Sequence, residues 1–338
     1  MDDPRRVTEV GIGLQGAFAP ASLAELAERV ELAGFDVMSV FGDLGFQPPM
    51  LVLLTAAQRT HRIRLGPACV NPYTTHPVEI AGQIAYLDAA SEGRAYLGLA
   101  RGAWLNRLRL AQTRSVTAIR DTAEIVRRLL AGDASGYAGG VFSIEPGLQL
   151  RFPVVRPAVP LLIGGWGPRT IGLAGEIADE LKLGGTANPA LVRWARQHLA
   201  AGATGEIHRV DGAPRIVTGA VTVVDHDGTR ARARARIEVA MYVDVVGALD
   251  PTVSFDADLL AAIHEQMAIG APEAAGELIP DRLLDAFVLA GTPRQVASRI
   301  AELFDAGASR VELGPPLGLD GPGPGVDLLA RTVLPALR

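Results

Sequence analysis

The stretch RIRLGPACVNPYTTHPVEIAGQIAYLDAASEGRAYLGLARG, Arg62 to Gly102, holds one complete structural unit. It opens on the apolar run Arg62–Val70, which has strand length. From Val78 the apolar residues return at helical spacing through Ala90, and Ala95–Gly102 is again a strand-length apolar run. Strand, helix, strand with no polar face on either strand describes a parallel pair joined by a helix and buried on both sides. Between the first strand and the helix the chain places prolines, Asn71 and the only cysteine it has, Cys69.

Working outward, the unit repeats. Strand-like runs lie at Thr8–Gly16, Phe35–Asp43, Arg62–Val70, Ala95–Gly102, Pro160–Gly167, Glu180–Gly185, Pro214–Val224 and Ser309–Pro316, and each is followed by helix-period sequence. Eight such units in 338 residues predict a (β/α)8 TIM barrel and not an open doubly wound sheet. We expect one domain over residues 1–338, with insertions at 132–159 (a small hairpin over the mouth), 225–290 (one or two extra helices) and 317–327 (a Gly/Pro loop). Ser22 with Glu25 has the spacing of a capping box. Gly34 and Gly307 stand where helices should end, and Pro168 and Pro293 where helices should begin.

Composition narrows the function. A net charge of −5 gives no electrostatic footprint for nucleic acid. One cysteine cannot form an internal disulfide, the start MDDPRRVTEV has no signal-peptide apolar core, and no run of 18 apolar residues exists, so a cytoplasmic protein without membrane contact is expected. Nearly all basic residues are Arg; Lys182 is the only lysine. There is no paired-His metal spacing and no G-x-S-x-G, so neither a metal site nor a serine nucleophile is predicted. The G-x-G of GIGLQG lacks the last glycine of a dinucleotide fingerprint.

Chemistry on such a barrel collects where strands end and βα loops begin. There stand Gln15 and Gly16; Gly42 and Asp43; Asn71, Tyr73 and His76; Arg101, Gly102 and Trp104; Gly164, Gly165, Trp166 and Gly167; Gly184, Gly185 and Thr186; and Gly314 and Pro315. GGWGPRT runs straight into a helix, which suits a phosphate on its N–H groups, though the same glycines also suit a tight corner. Asp43 reads equally as a ligand contact or as a cap or ion-pair partner. Arg101 suits an anion or a carboxylate of a ligand, or alternatively a plain salt bridge. Trp104 and Trp166 suit either a flat ligand or packing. His76, just before Pro77, reads as a helix start ahead of the alternative, a proton carrier.

Three segments together resemble a family. LGPACVNPYTTHPVEIAGQIAYLDAASEGRAYLGLARGAW, IGGWGPRTIGLAGEIAD and LAGTPRQVASRIAELFDAGASRVELGP look like the bacterial luciferase-like flavin and deazaflavin oxidoreductases, and most like their methylenetetrahydromethanopterin reductase members. The similarity runs from about residue 8 to 316. It implies a barrel that binds coenzyme F420, or alternatively FMN, at its C-terminal mouth. It implies a non-prolyl cis peptide between Ala68 and Cys69 that presses on the back of the ring, with Cys69 as small filler. Asp43 and Asn71 would act near the polar edge of the ring. Ala68, Cys69, Val70, Arg101 and Gly102 would hold the ring, and Gly164, Gly165, Trp166, Gly167, Gly184, Gly185 and Thr186 the phosphate tail. Sugar-phosphate dehydrogenases of the family carry His and Glu where Leu44 and Ala103 stand here. The implied chemistry is therefore direct hydride transfer between the deazaflavin and an activated C=N, C=C or C=O group of a small organic substrate. The alternatives are an FMN-dependent monooxygenase fed by a partner reductase, and a non-catalytic relative that kept the barrel. A homodimer through helices on the strand 2–4 side is also implied.

Overall fold

The computed structural model describes residues 8–202, 214–246 and 249–338. Its strands and helices follow the alternation read above: β1 (Glu9–Leu14), α1 (Pro20–Leu32), β2 (Val37–Val40), α2 (Pro49–Ala57), β3 (Arg64–Pro67), α3 (Pro77–Ala90), β4 (Leu97–Leu99) and α4 (Ser115–Ala131). The hairpin β5 (Tyr137–Ala138) and β6 (Ser143–Ile144) comes next. Then follow β7 (Leu161–Gly164), α5 (Pro168–Ile177), β8 (Glu180–Gly184), α6 (Pro189–Gly202), β9 (Arg215–Val224) and α7 (Gly228–Val246). The chain continues with α8 (Ala257–Ala268), α9 (Pro272–Glu277), α10 (Asp281–Phe287), β10 (Val288–Gly291), α11 (Pro293–Ala306), β11 (Arg310–Gly318), α12 (Pro322–Thr332) and α13 (Leu334–Leu337).

Eight parallel strands run in the order β3-β2-β1-β11-β9-β8-β7-β4. The ring closes between β3 and β4 by two isolated bridges, Leu65 with Ala95 and Val70 with Leu99. Side chains such as Ile12, Leu14, Met38, Leu65, Ile163 and Leu313 are fully buried, as strands covered on both faces require. Helices pack outside, and their ends carry the expected punctuation. In α11, Thr292 and Gln295 form a capping box and Gly307 ends the helix at φ 111°. Pro168 and Pro293 open α5 and α11.

Four expectations are corrected. Helix α1 begins at Pro20 with Ala19 as its N-cap, so Ser22 lies inside the first turn and caps nothing; the proline start fixes the boundary earlier. Residues 317–327 are not one loop. Strand β11 bends past Gly314, where its pairing with β9 slips in register, and continues to Gly318, and α12 starts at Pro322. The segment 225–290 holds three helices beyond α7, not one or two. It also holds β10, a strand that pairs with β9 outside the closed ring; its four-residue length made it indistinguishable from the end of a helix. No helix among the described residues is long and apolar enough to cross a membrane.

The barrel interior is not apolar throughout. Glu180 and Lys182 on β8, and Arg310 and Glu312 on β11, are each at most 4% exposed. Spacing of two along a strand puts both members of each pair on one face. Arg310 Nη1 donates to Glu180 Oε1 at 3.1 Å. Its Nη2 and Nε approach Glu180 Oε2 at 2.9 Å and Glu312 Oε1 at 3.0 Å, off the hydrogen-bond direction. Arg215 donates to Glu180 at 2.6 Å, and Arg64 to Glu9 at 3.1 Å. Lys182 is paired with Glu312 Oε2, and Ser39 donates to the same oxygen at 2.6 Å.

Candidate active site

A cavity of about 180 Å³ opens at the C-terminal mouth, above this charged layer. The ends of β2, β3, β8, β9 and β11 supply its wall through Phe41, Asp43, Ala68, Lys182, Gly184, Gly185, Gly219, Ala220, Val221, Gly314 and Pro315. Ala103 and Trp104 enter from the loop after β4, and Tyr242 from α7. Most of the wall is glycine or small apolar side chain, which lets a flat ligand lie against backbone. Its ionisable groups are Asp43, Lys182 and Tyr242.

The backbone behind the cavity is closely fitted. The Ala68–Cys69 peptide is cis. A methyl group on Gly42 would sit 2.1 Å from the Cys69 carbonyl oxygen, and one on Gly98 2.1 Å from that of Pro67. Gly164 faces the Cys69 sulfur, where an added Cβ would lie 2.8 Å away. Burial pushes the Cys69 thiol up to about 12, so it is a neutral filler and not a nucleophile at neutral pH.

Asp43 accepts a hydrogen bond from Gln15 Nε2 at 3.1 Å. Burial raises its carboxyl above the usual range, against the opposing pull of Gln15 and Lys182. Burial and the nearby Asp43 together push the Tyr242 phenol far up, so its proton stays on Oη.

The remaining expected residues divide by task. Ala68, Asp43, Gly184 and Gly185 line the cavity itself. Asn71 is spent on its own loop: its Oδ1 accepts from Tyr73 N and Thr74 N, both at 3.0 Å. Gly102, at φ 83°, packs against Asn71, and Gln112 ties the Gly102 carbonyl at 3.0 Å, while Arg101 is exposed. Val70 is buried, with its amide on the Gly98 carbonyl at 2.9 Å. Trp166 is packing: it stacks on Phe287 and donates from Nε1 to the Gly184 carbonyl at 2.9 Å. Gly165 donates to the Lys182 carbonyl at 3.1 Å, so the loops after β7 and β8 are fastened together. Gly167 is the exposed N-cap of α5, with no side-chain cap and open space around it. Thr186 is fully buried and bonds to the Ala286 carbonyl at 3.3 Å. His76 caps α3 by accepting from Val78 N at 3.2 Å. Lys182, Tyr242 and Phe41 were not among the expected site residues. The signal for Lys182 was its place two residues after Glu180 on a strand; Tyr242 sits on a long insertion helix and had none. Among the described residues no three His, Cys, Asp or Glu side chains gather as metal ligands would.

The profile of the luciferase-like monooxygenase family matches residues 6–310, and the chain belongs to that family. Its relatives include the 5,10-methylenetetrahydromethanopterin reductase of Archaeoglobus fulgidus, 29% identical over 93% of this chain and 96% of that protein. The F420-dependent glucose-6-phosphate dehydrogenase of Microbacterium testaceum is 26% identical over 86% of each. The structure of coenzyme F420-dependent tetrahydromethanopterin reductase from Methanopyrus kandleri superposes with a TM-score of 0.88 at 27% identity, covering 98% of this chain and all of that one.

Proposed function

We propose that this chain is an F420-dependent oxidoreductase that moves hydride between the deazaflavin and an activated C=N, C=C or C=O group of a small organic substrate. The observation that carries the reading is the cavity: a glycine-lined slot at the mouth of a luciferase-like barrel, bounded by Ala68 and closed behind by close-packed backbone. The residues fit a flat tricyclic ring, because Gly184, Gly185, Gly219 and Gly314 line the slot with no side chain of their own. When bound, the deazaflavin supplies the hydride chemistry.

The chain's own groups position and shield. Ala68 bounds one side of the slot and Trp104 another. Asp43, oriented by Gln15, offers an acidic oxygen at the polar edge. Tyr242 holds a proton at Oη facing the same space. Arg101, Gly102 and Asn71 shape the rim, and the open N-terminus of α5 at Gly167, with Gly164, Gly165, Gly184 and Gly185 beside it, receives the phosphate tail, while Thr186 is buried behind that turn and only supports it. Cys69 and Val70 back the ring. Leu44 and Ala103 leave no His and Glu for sugar oxidation, so reduction of an acceptor is favoured.

Titration with coenzyme F420 and with FMN tests the reading. Binding of F420 at least about tenfold tighter, near 1.4 kcal/mol, is expected. Preference for FMN with oxygen uptake would instead make the protein a monooxygenase served by a partner reductase.

The enzyme acts as a homodimer in this reading, in the cytoplasm. Leu51 and Tyr86 are each 63% exposed on α2 and α3, and with Leu54 and Phe152 they line one apolar groove. Sedimentation should give a dimer that L51E/Y86E converts to a monomer; a monomeric parent protein refutes the assignment.

A further inference from the structure

Lys182 stands out chemically and spatially. It is the only lysine in 338 residues, and among the described residues it is the only cation on the cavity wall. Its ammonium carries three donors. One acceptor, Glu312 Oε2, is within bonding distance, and the Phe41 ring centroid is 5.3 Å away. The open Cα positions of Gly184 and Gly219 lie beside its stem, where an added Cβ would come within 3.8 and 3.7 Å of Cε.

Glu312 does not cancel this charge alone. It is also held by Arg310 and Ser39, and it is not on the wall. The buried layer below joins Lys182, Arg310, Arg64 and Arg215 to Glu312, Glu180 and Glu9. Glu312 is thus shared between two cations, Lys182 and Arg310. Among the described residues the other titratable groups facing this space are Asp43 from the end of β2 and Tyr242 from α7, with half-buried Cys69 and fully buried Tyr96 behind. The thiol and both phenols remain neutral at pH 7, and burial works against the charge on Asp43.

We propose that Lys182 is the cation that selects the anionic form of the bound ring. This rests on the deazaflavin reading above. The 8-hydroxyl of an oxidised deazaflavin is a phenol-like acid. Its anion is delocalised across the fused rings to the pyrimidine carbonyls, so a cation anywhere along the slot stabilises it. Lys182 has free donors for such an oxygen, in a setting where little water screens the attraction.

The ionisation changes the visible absorption of F420, which gives a readout independent of turnover. The full-length protein saturated with oxidised F420 is titrated from pH 5 to 8. We expect the bound chromophore to ionise at lower pH than free F420, by about tenfold or more in acidity constant, which is one pH unit. K182M should reduce that displacement to below about threefold, while K182R should retain most of it. The paired variant K182M/E312Q removes both charges and spares the buried carboxylate from losing its partner; it should behave as K182M does. An undiminished displacement in folded K182M or K182M/E312Q overturns the proposal and leaves the cofactor reading intact. Failure of the wild-type protein to bind F420 removes both.

Discussion

Replacing Arg310 with Met tests whether the charged layer holds the barrel together. Arg310 is completely buried. It touches Glu180 and Glu312, and lies 3.7 Å from Glu9. Breaking one partner out of a buried ion network typically costs about 3–5 kcal/mol, because charge is left uncompensated. Here the survivors keep support: Glu180 retains Arg215 and Arg64, and Glu312 retains Lys182 and Ser39. The cost should therefore fall near the low end, about 3 kcal/mol. Urea unfolding followed by fluorescence and circular dichroism measures it. R310M/E312Q should be less stable than R310M, because buried Lys182 then loses its carboxylate as well. A second signature is pH. Burial alone would raise Glu180 and Glu312, but the cations around them win and hold both below the usual carboxylate range. Their stabilisation is thus complete above about pH 4.3, the ordinary Glu value, and is lost as pH falls through the lower folded-state values. R310M weakens that depression, so acid unfolding should begin at higher pH than in the parent protein. A loss below about 1 kcal/mol, the range of a solvent-exposed pair, with an unmoved acid limb would refute the argument.

Gly42→Ala should cost about 1–3 kcal/mol, the range for overpacking, and should weaken cofactor binding, because its methyl meets the Cys69 carbonyl; thermal melts with and without F420 measure both. Cys69 should resist alkylation by iodoacetamide at pH 8 in the folded protein and react at once in urea, since its thiol is pushed up to about 12 by burial. Thr292→Ala removes the hydroxyl cap of α11 and should cost about 1 kcal/mol in chemical denaturation.

The alternation of strand and helix was legible because parallel strands buried on both faces leave unbroken apolar runs, and all eight closed-ring strands follow from that rule. Strand β10 did not, since VLAG follows LLDAF without a polar break and four residues carry no period. The charged layer was legible in principle. ELKL and RVEL alternate charge with leucine or valine, which places Glu180 with Lys182 and Arg310 with Glu312 on one strand face. Reading those runs as simply apolar concealed it. Asp43, Ala68, Gly184 and Gly185 could be placed because strand ends define a barrel mouth. Tyr242 could not: it reaches the mouth only through the packing of a long excursion, which no local pattern encodes.

That excursion is anchored outboard. Strand β10 hydrogen-bonds to Val221–Val224 on β9 and takes no part in closing the ring. Helix α7, which carries Tyr242, is clamped to α10 by Arg232 on Asp281 and Asp285. The whole appendage between β9 and α11 can lengthen, shrink or be exchanged during descent without severing one backbone bond of the closed ring. Substrate preference can drift in this protein's lineage while the cradle beneath it stays fixed.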